Sequence, residues 1–175
     1  MCTRGQATTV VDYIFKSKIG NQETKAKLLE QINLIPTNPL VEENQNIIHT
    51  DWNLPDEMHR EYATLFLEII RPHLEKVTSL LHCKFFKIHN FWFQKYGSEG
   101  HFGWHTHPGA HYSNIYYLEC PNGGGTKFKN IDVTCEEGDV ISFPAFLPHE
   151  SPPFLSKSPK TIISFNCDFG IYPLK

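Results

Sequence analysis

The residue pattern changes at Cys83, and that change restricts what the chain can build. Before it, from Pro55 to about Leu81, the apolar residues Met58, Tyr62, Leu65, Phe66, Ile69, Ile70, Leu74, Val77 and Leu81 recur three and four apart, the spacing of one buried helical stripe. Pro55 followed by Asp56 and Glu57 suits a helix start, where a missing N–H costs nothing and acidic groups meet the dipole. Pro72 is expected to kink this helix. A weaker helix is predicted over 22–33, and 35–52 reads as an irregular connection. After Cys83 come short segments rich in aromatic and β-branched residues, separated by turns at 123–125 and 137–139, which is the signature of strands. Strands are predicted near 85–96, 103–107, 113–118, 126–129, 140–143 and 161–168. The expectation is a mainly β fold with N-terminal helices (α+β), an antiparallel sandwich or barrel. It forms one domain over 1–175, with a helical support over 1–82 bracing a β core over 83–175.

Composition bears on partners and compartment. A formal net charge of -3 and a pI near 6.3 provide no broad cationic surface, so neither nucleic acid nor an anionic membrane is an expected partner. No run of about 18 apolar residues exists to cross a bilayer, and the N-terminal stretch is too polar for a secretory signal. The five cysteines, Cys2, Cys83, Cys120, Cys135 and Cys167, are scattered singly with no C-x-x-C pair. They read as reduced thiols of a cytoplasmic protein. Histidine stands out: of ten, His101, His105, His107 and His111 fall within eleven residues.

A strand sends residues i and i+2 to one face, with Cα atoms roughly 6.6 Å apart, so His105 and His107 can both reach one metal. His149 is the only later histidine and follows the aromatic and proline-rich stretch 143–148, which makes it the candidate third ligand. Three ligands on one face leave open positions, as a working metal site requires and a closed structural one does not. His101 and His111 read as loop or supporting groups, although His111 could compete with His107. His49, His59, His73, His82 and His89 read as surface or core, Trp92 and Trp104 as core, and Asp139 as a turn residue.

From Phe91 to Phe169 the order of motifs resembles the iron and 2-oxoglutarate-dependent oxygenase superfamily, and within it a subgroup of small oxygenases of phage and marine-bacterial type. The resemblance rests on Trp104-His105-Thr106-His107-Pro108, Tyr112-Ser113-Asn114-Ile115-Tyr116-Tyr117-Leu118, Gly138-Asp139, Phe143-Pro144, Leu147-Pro148-His149 and Ile163-Ser164-Phe165-Asn166. It implies a double-stranded β-helix (jelly roll, cupin-like) braced by helices, with iron(II) as metal and 2-oxoglutarate as co-substrate. The family's first and last metal ligands fall on His105 and His149. Its middle ligand is usually a carboxylate, whereas this chain offers His107. Three neutral ligands leave the site one negative charge short, so the metal should be more electron-poor and hold an anionic co-substrate more strongly. Zinc or copper would also suit such a face.

The resemblance further implies a cation about ten residues beyond the last histidine, to hold the far carboxylate of 2-oxoglutarate. Lys160 is that residue, with Lys127 in reserve; without the resemblance, Lys160 reads as a solvated residue of a Ser-Lys-Ser-Pro-Lys loop. Alternation puts Lys160, Ile162, Ser164 and Asn166 on one face, so the cation, the hydroxyl and the amide can point inward together. Tyr117 and Gln94 on neighbouring strands could hydrogen-bond the co-substrate carboxylates, or else pack in the core with satisfied polar tips. The activity implied is hydroxylation of a small-molecule or peptidyl substrate by a protein that could be a homodimer through an exposed edge strand. Two alternatives stay open. One is a cupin-like metal-binding domain without 2-oxoglutarate turnover, and the other a three-histidine metal enzyme independent of 2-oxoglutarate.

Overall fold

The computed structural model describes residues 9–11, 13–36, 45–52, 54, 55 and 57–171; Cys2 and Asp56 lie outside them. Ten strands and two helices follow in the order β1 (Thr9–Val11), β2 (Ile14–Lys18), α1 (Gln22–Asn33), β3 (Ile47–Thr50), α2 (Tyr62–Leu80), β4 (Phe85–Tyr96), β5 (Phe102–His105), β6 (Tyr112–Glu119), β7 (Lys127–Phe128), β8 (Asp139–Pro144), β9 (His149–Ser151) and β10 (Lys160–Gly170). A seven-stranded sheet runs β1-β2-β8-β6-β10-β4-β3 and a three-stranded sheet β5-β9-β7. Every pairing is antiparallel. The fold is a jelly roll with helices on one side.

Alternation along β10 explains the layering. Ile163, Phe165 and Cys167 join the apolar cluster beneath the helices, where Phe66, Ile70, Leu74 and Val77 of α2 are fully buried. Each such side chain contributes about 1.5–3 kcal/mol by leaving water. Ile162, one step out of phase, joins Ile115, Tyr117, Ile141 and Phe143 in a second cluster on the opposite face of the sheet. Lys160 and Ser164 share that second face with Ile162.

The structure corrects several expectations. Helices do not simply precede strands, because β1, β2 and β3 from the first half join the large sheet. The connection read as irregular contains β3, whose pairing with β4 shifts register between Ile47 and His49, a slip that destroys period-two alternation. Helix α2 starts at Tyr62, not near Pro55. The guanidinium of Arg60 donates to the Met58 carbonyl at 3.2 Å and to those of Leu54 and Pro55 at 3.4 Å, so these acceptors bend around Arg60 instead of entering a helix. Pro72 stays inside α2. Both it and Glu68, whose carbonyl loses its helical donor there, have solvent-exposed side chains, on the side where water can replace the missing bond. Asp139 is the buried first residue of β8, where its carboxylate accepts the Glu136 N–H at 2.8 Å and lies 3.5 Å from Lys16 Nζ. Trp104 is 43% exposed and is not core. Among the described residues no helix is long and apolar enough to cross a membrane.

Candidate metal centre

The small sheet assembles the histidines. In the pairing of β5 with β9, His105 stands opposite His149, with ring centroids 4.2 Å apart. Strand β5 ends at His105, so His107 is not held by the ladder as the i, i+2 reading supposed; its N–H instead donates to the Ala145 carbonyl at 2.9 Å. The ring of His107 lies 4.9 Å from that of His105 and 5.2 Å from that of His149. One nitrogen from each imidazole lies within 4.8 Å of the other two, the one such group able to hold a metal among the described residues.

The chemistry of the donors suits a cation. His105 Nδ1 lies 2.8 Å from the Gly103 carbonyl and His149 Nδ1 lies 2.9 Å from that of Leu147. A carbonyl only accepts, so each Nδ1 carries the proton and each Nε2 keeps its lone pair for a metal. Burial holds His149 down to about 3, with the neighbouring imidazoles adding to the effect. Burial and the adjacent His105 hold His107 down to about 4, and burial lowers His105 as well. All three are therefore neutral near pH 7, the state in which imidazole binds metals.

These histidines form one wall of a cavity of about 330 Å³ between the sheets, whose other walls include Gln94, Ile115, Ile162, Ser164 and Lys160. Lys160 is fully buried. Its Nζ donates to Ser151 Oγ at 2.7 Å and lies 5.1 Å from the centre of the Tyr96 ring. Lys160 makes no ion pair with a carboxylate among the described residues. Burial lowers its pKa to about 8. The turn after β6 covers its stem, since a Cβ on Gly124 would meet the Lys160 side chain at 3.5 Å and the Pro121 carbonyl at 2.9 Å. Lys127, the reserve cation, is exposed and lies 3.7 Å from Glu150.

Two of the expected polar groups stand elsewhere. The Tyr117 hydroxyl donates to Thr126 Oγ1 at 2.6 Å and accepts the Thr126 N–H at 3.1 Å; it is saturated behind Thr126, which lines the cavity in its place. Asn166 lies beyond Ser164 outside the lining, donating to Asn90 Oδ1 at 3.1 Å. His111 is not a ligand: its N–H donates to Asp168 Oδ1 at 2.8 Å, and His89 Nε2 lies 2.8 Å from Asp168 Oδ2. Sequence reasoning missed Ser151, Tyr96 and Trp52, which also line the cavity. Ser151 follows His149 by two, as Tyr96 follows Gln94, so strand alternation carried a signal for both. Trp52 gave none, lying just past a strand that went unread.

No protein-family model matches the chain, and no curated protein matches it in sequence. Solved structures do. The viral collagen prolyl hydroxylase of Paramecium Bursaria Chlorella virus-1, in its 2-oxoglutarate complex, superposes with a TM-score of 0.65 at 16% identity, over 92% of this chain and 97% of that one. A 2-oxoglutarate and Fe(II) oxygenase-family oxidoreductase of Burkholderia pseudomallei gives 0.61 at 14% identity, over 84% and 78%. This chain has the 2-oxoglutarate/Fe(II) oxygenase fold. HygX of Streptomyces hygroscopicus, solved with nickel, 2-oxoglutarate and hygromycin B, shares the oxygenase fold at a TM-score of 0.59 and 10% identity, over 88% and 82%. At these identities the likeness concerns the fold, and the residues of this chain must carry the chemistry.

Proposed function

We propose that the protein is an iron(II)- and 2-oxoglutarate-dependent oxygenase, in which His105, His107 and His149 hold the metal and Lys160 anchors the co-substrate. One observation carries the reading: a single cavity has three neutral, converging imidazoles in one wall and, in another, a buried ammonium without a carboxylate partner among the described residues. A dicarboxylate whose one end also bears a keto oxygen satisfies both. Its far carboxylate would take the Lys160 ammonium, supplying the counter-charge that the described residues do not, with the Ser151 hydroxyl alongside. Its keto acid end would meet a site whose protein ligands bring no negative charge.

Iron(II) on these nitrogens would supply the dioxygen chemistry that couples decarboxylation of 2-oxoglutarate to oxidation of a C–H bond. The chain's own contribution is orientation and dryness. His149 is wedged against Phe143, with ring centroids 4.6 Å apart, while Ile115 and Ile162 provide apolar wall to the same cavity. The amide of Gln94, whose Oε1 accepts the Tyr96 hydroxyl at 3.1 Å, and the hydroxyl of Ser164 would contact the co-substrate along its length.

The test is succinate formation by protein loaded with iron(II), on addition of 2-oxoglutarate and oxygen. We expect about one iron per chain, succinate only when all three are present, and loss of iron in His149→Ala. Full iron occupancy with neither succinate nor 2-oxoglutarate binding would instead indicate a metal-binding domain without turnover, or a three-histidine enzyme that does not use this co-substrate.

A further inference from the structure

The wall of the cavity changes character along β4. Tyr96 stands opposite Lys160 of β10, Gln94 opposite Ile162 and Trp92 opposite Ser164, and all three β4 residues line the cavity. The four-residue step from Tyr96 to Trp92 spans roughly 13 Å of strand, so the lining passes from a cationic part to an aromatic one. Thr50 of β3 pairs with Gln94, and the antiparallel direction brings Trp52, two residues on, beside Trp92. The two rings lie 4.6 Å apart, centroid to centroid, at 61°. Trp92 in turn lies 6.0 Å from the ring of His107. These three rings make an aromatic wall that runs from the candidate metal centre to the surface, where Trp52 lines the cavity and is 45% exposed.

That exposed indole is carried on a fixed backbone. The Thr50 hydroxyl donates to the Phe93 carbonyl at 2.6 Å and accepts the Trp52 N–H at 3.1 Å. The Asp51 carboxylate accepts the Phe93 N–H at 2.8 Å, and both Thr50 and Asp51 are buried. A large apolar surface held in place at a cavity and left to water gains by being covered, and its fixed position spares the ordering cost of binding. Trp104 is exposed to a similar degree but lies outside the lining, with Lys129 Nζ 5.7 Å from its ring centre.

Charge selects among the ligands that could cover Trp52. Lys160 and Glu150 carry the formal charges of the described lining, and Glu150 lies 3.7 Å from Lys127. With a divalent metal and the 2-oxoglutarate dianion in place, those two charges cancel and the Lys160 ammonium is left over. A cationic ring is then repelled, although an indole face alone would attract one. An anionic ring would compete with the co-substrate for Lys160, and a neutral ring meets neither cost. A flat ring can lie offset on one indole and turn its edge to the other, the two arrangements that aromatic rings favour. A sugar would bring hydroxyls against the indoles, where a hydroxyl without a partner is costly to bury.

We infer that Trp52 and Trp92 form the primary-substrate subsite and that it takes an uncharged aromatic ring, held beside His107. As a substrate subsite it rests on the oxygenase reading above; as an aromatic-binding corner it rests on the two indoles and the charges around them.

Benzyl alcohol is the probe, with cyclohexylmethanol, benzylamine and glucose as comparators, titrated against the full chain loaded with zinc and 2-oxoglutarate. Saturation-transfer NMR reads binding without turnover, and tryptophan fluorescence reports contact with the indoles. We expect benzyl alcohol to bind and perturb the fluorescence, and each comparator to bind about tenfold more weakly or less. Trp52→Ala should weaken the probe about tenfold and Trp52→Phe by no more than about threefold, while zinc content and 2-oxoglutarate affinity stay as in the parent. Equal probe affinity in Trp52→Ala, preference for any comparator, or no binding of benzyl alcohol would each overturn the inference. Probe binding that survives while 2-oxoglutarate fails to bind would overturn the oxygenase reading and leave the aromatic corner standing, so the two failures are distinguishable.

Discussion

Lys160 buries an ammonium against one hydroxyl and one aromatic face, and burial holds its pKa to about 8 against an ordinary 10.5. Between these values the unfolded chain keeps the proton that the folded one has lost. Stability of the ligand-free protein should therefore rise with pH from about 8 to 10.5, as the cost of the buried charge disappears. Anion binding has the opposite sense, since only the charged form attracts a carboxylate. Calorimetric affinity for 2-oxoglutarate should fall as pH rises through about 8, and Lys160→Met should flatten that profile, weaken binding by about 1.5–3 kcal/mol and leave metal content unchanged. An unaltered profile in the mutant would reject the anchor. The three histidines were legible as a constellation, because His-x-His spacing and a single later histidine leave little choice. Lys160 was not, since its local sequence resembles a solvated loop and only the family likeness singled it out. Tyr117 shows a different limit: alternation assigns a side chain to a face but not to a depth, and Thr126 intervenes.

At the scale of elements, the chain entering α2 is held by one carboxylate. Asp51, 1% exposed, accepts from Arg60 Nε at 2.8 Å, the Tyr62 hydroxyl at 2.7 Å and the Phe93 N–H at 2.8 Å. It thereby joins the end of β3, the start of α2 and the middle of β4. Asp51→Ala would strand a half-buried guanidinium, a buried phenol and a backbone donor together. We expect a loss of about 3–5 kcal/mol and a fall in Tm of roughly 10 °C for a chain of this size, read by thermal or urea unfolding; a change under 1 kcal/mol would show that solvent replaces the carboxylate. Long elements such as β4, β10 and α2 were legible because their periodicity extends over many residues. Strand β9 was not, being three residues bracketed by Pro148 and Pro152, too short for any period to register. It nevertheless carries both His149 and Ser151, so the element hardest to read places two groups of the site.

Across the whole molecule a line of polar groups crosses the large sheet beneath α2. His73 Nδ1 lies 2.9 Å from Ser17 Oγ of β2 and its Nε2 lies 2.8 Å from Ser142 Oγ of β8. Ser142 donates to Asn114 of β6, which donates to the Phe165 carbonyl of β10 at 3.1 Å. Burial lowers His73 to about 4. A folded pKa below the unfolded 6.5 gives stability that is complete above 6.5 and lost as pH falls toward 4, on the order of 3 kcal/mol. Denaturant titrations across that window should show the decline, and His73→Phe should reduce its steepness; an equally steep loss in the mutant would assign it to other groups. The layering was legible in the change of period at Cys83, whereas the strand order was not, because pairing partners far apart in sequence leave no local mark.

The imidazoles hang from the short sheet, directly or just past its end, and Lys160 from the long one. A molecule gripped at both ends would act as a clasp between two leaves, and its departure would leave them joined there by the Lys160 to Ser151 contact and apolar packing. Loading the site would thus tie the two leaves from both ends of the bound molecule, where the protein alone joins them at Lys160 and Ser151.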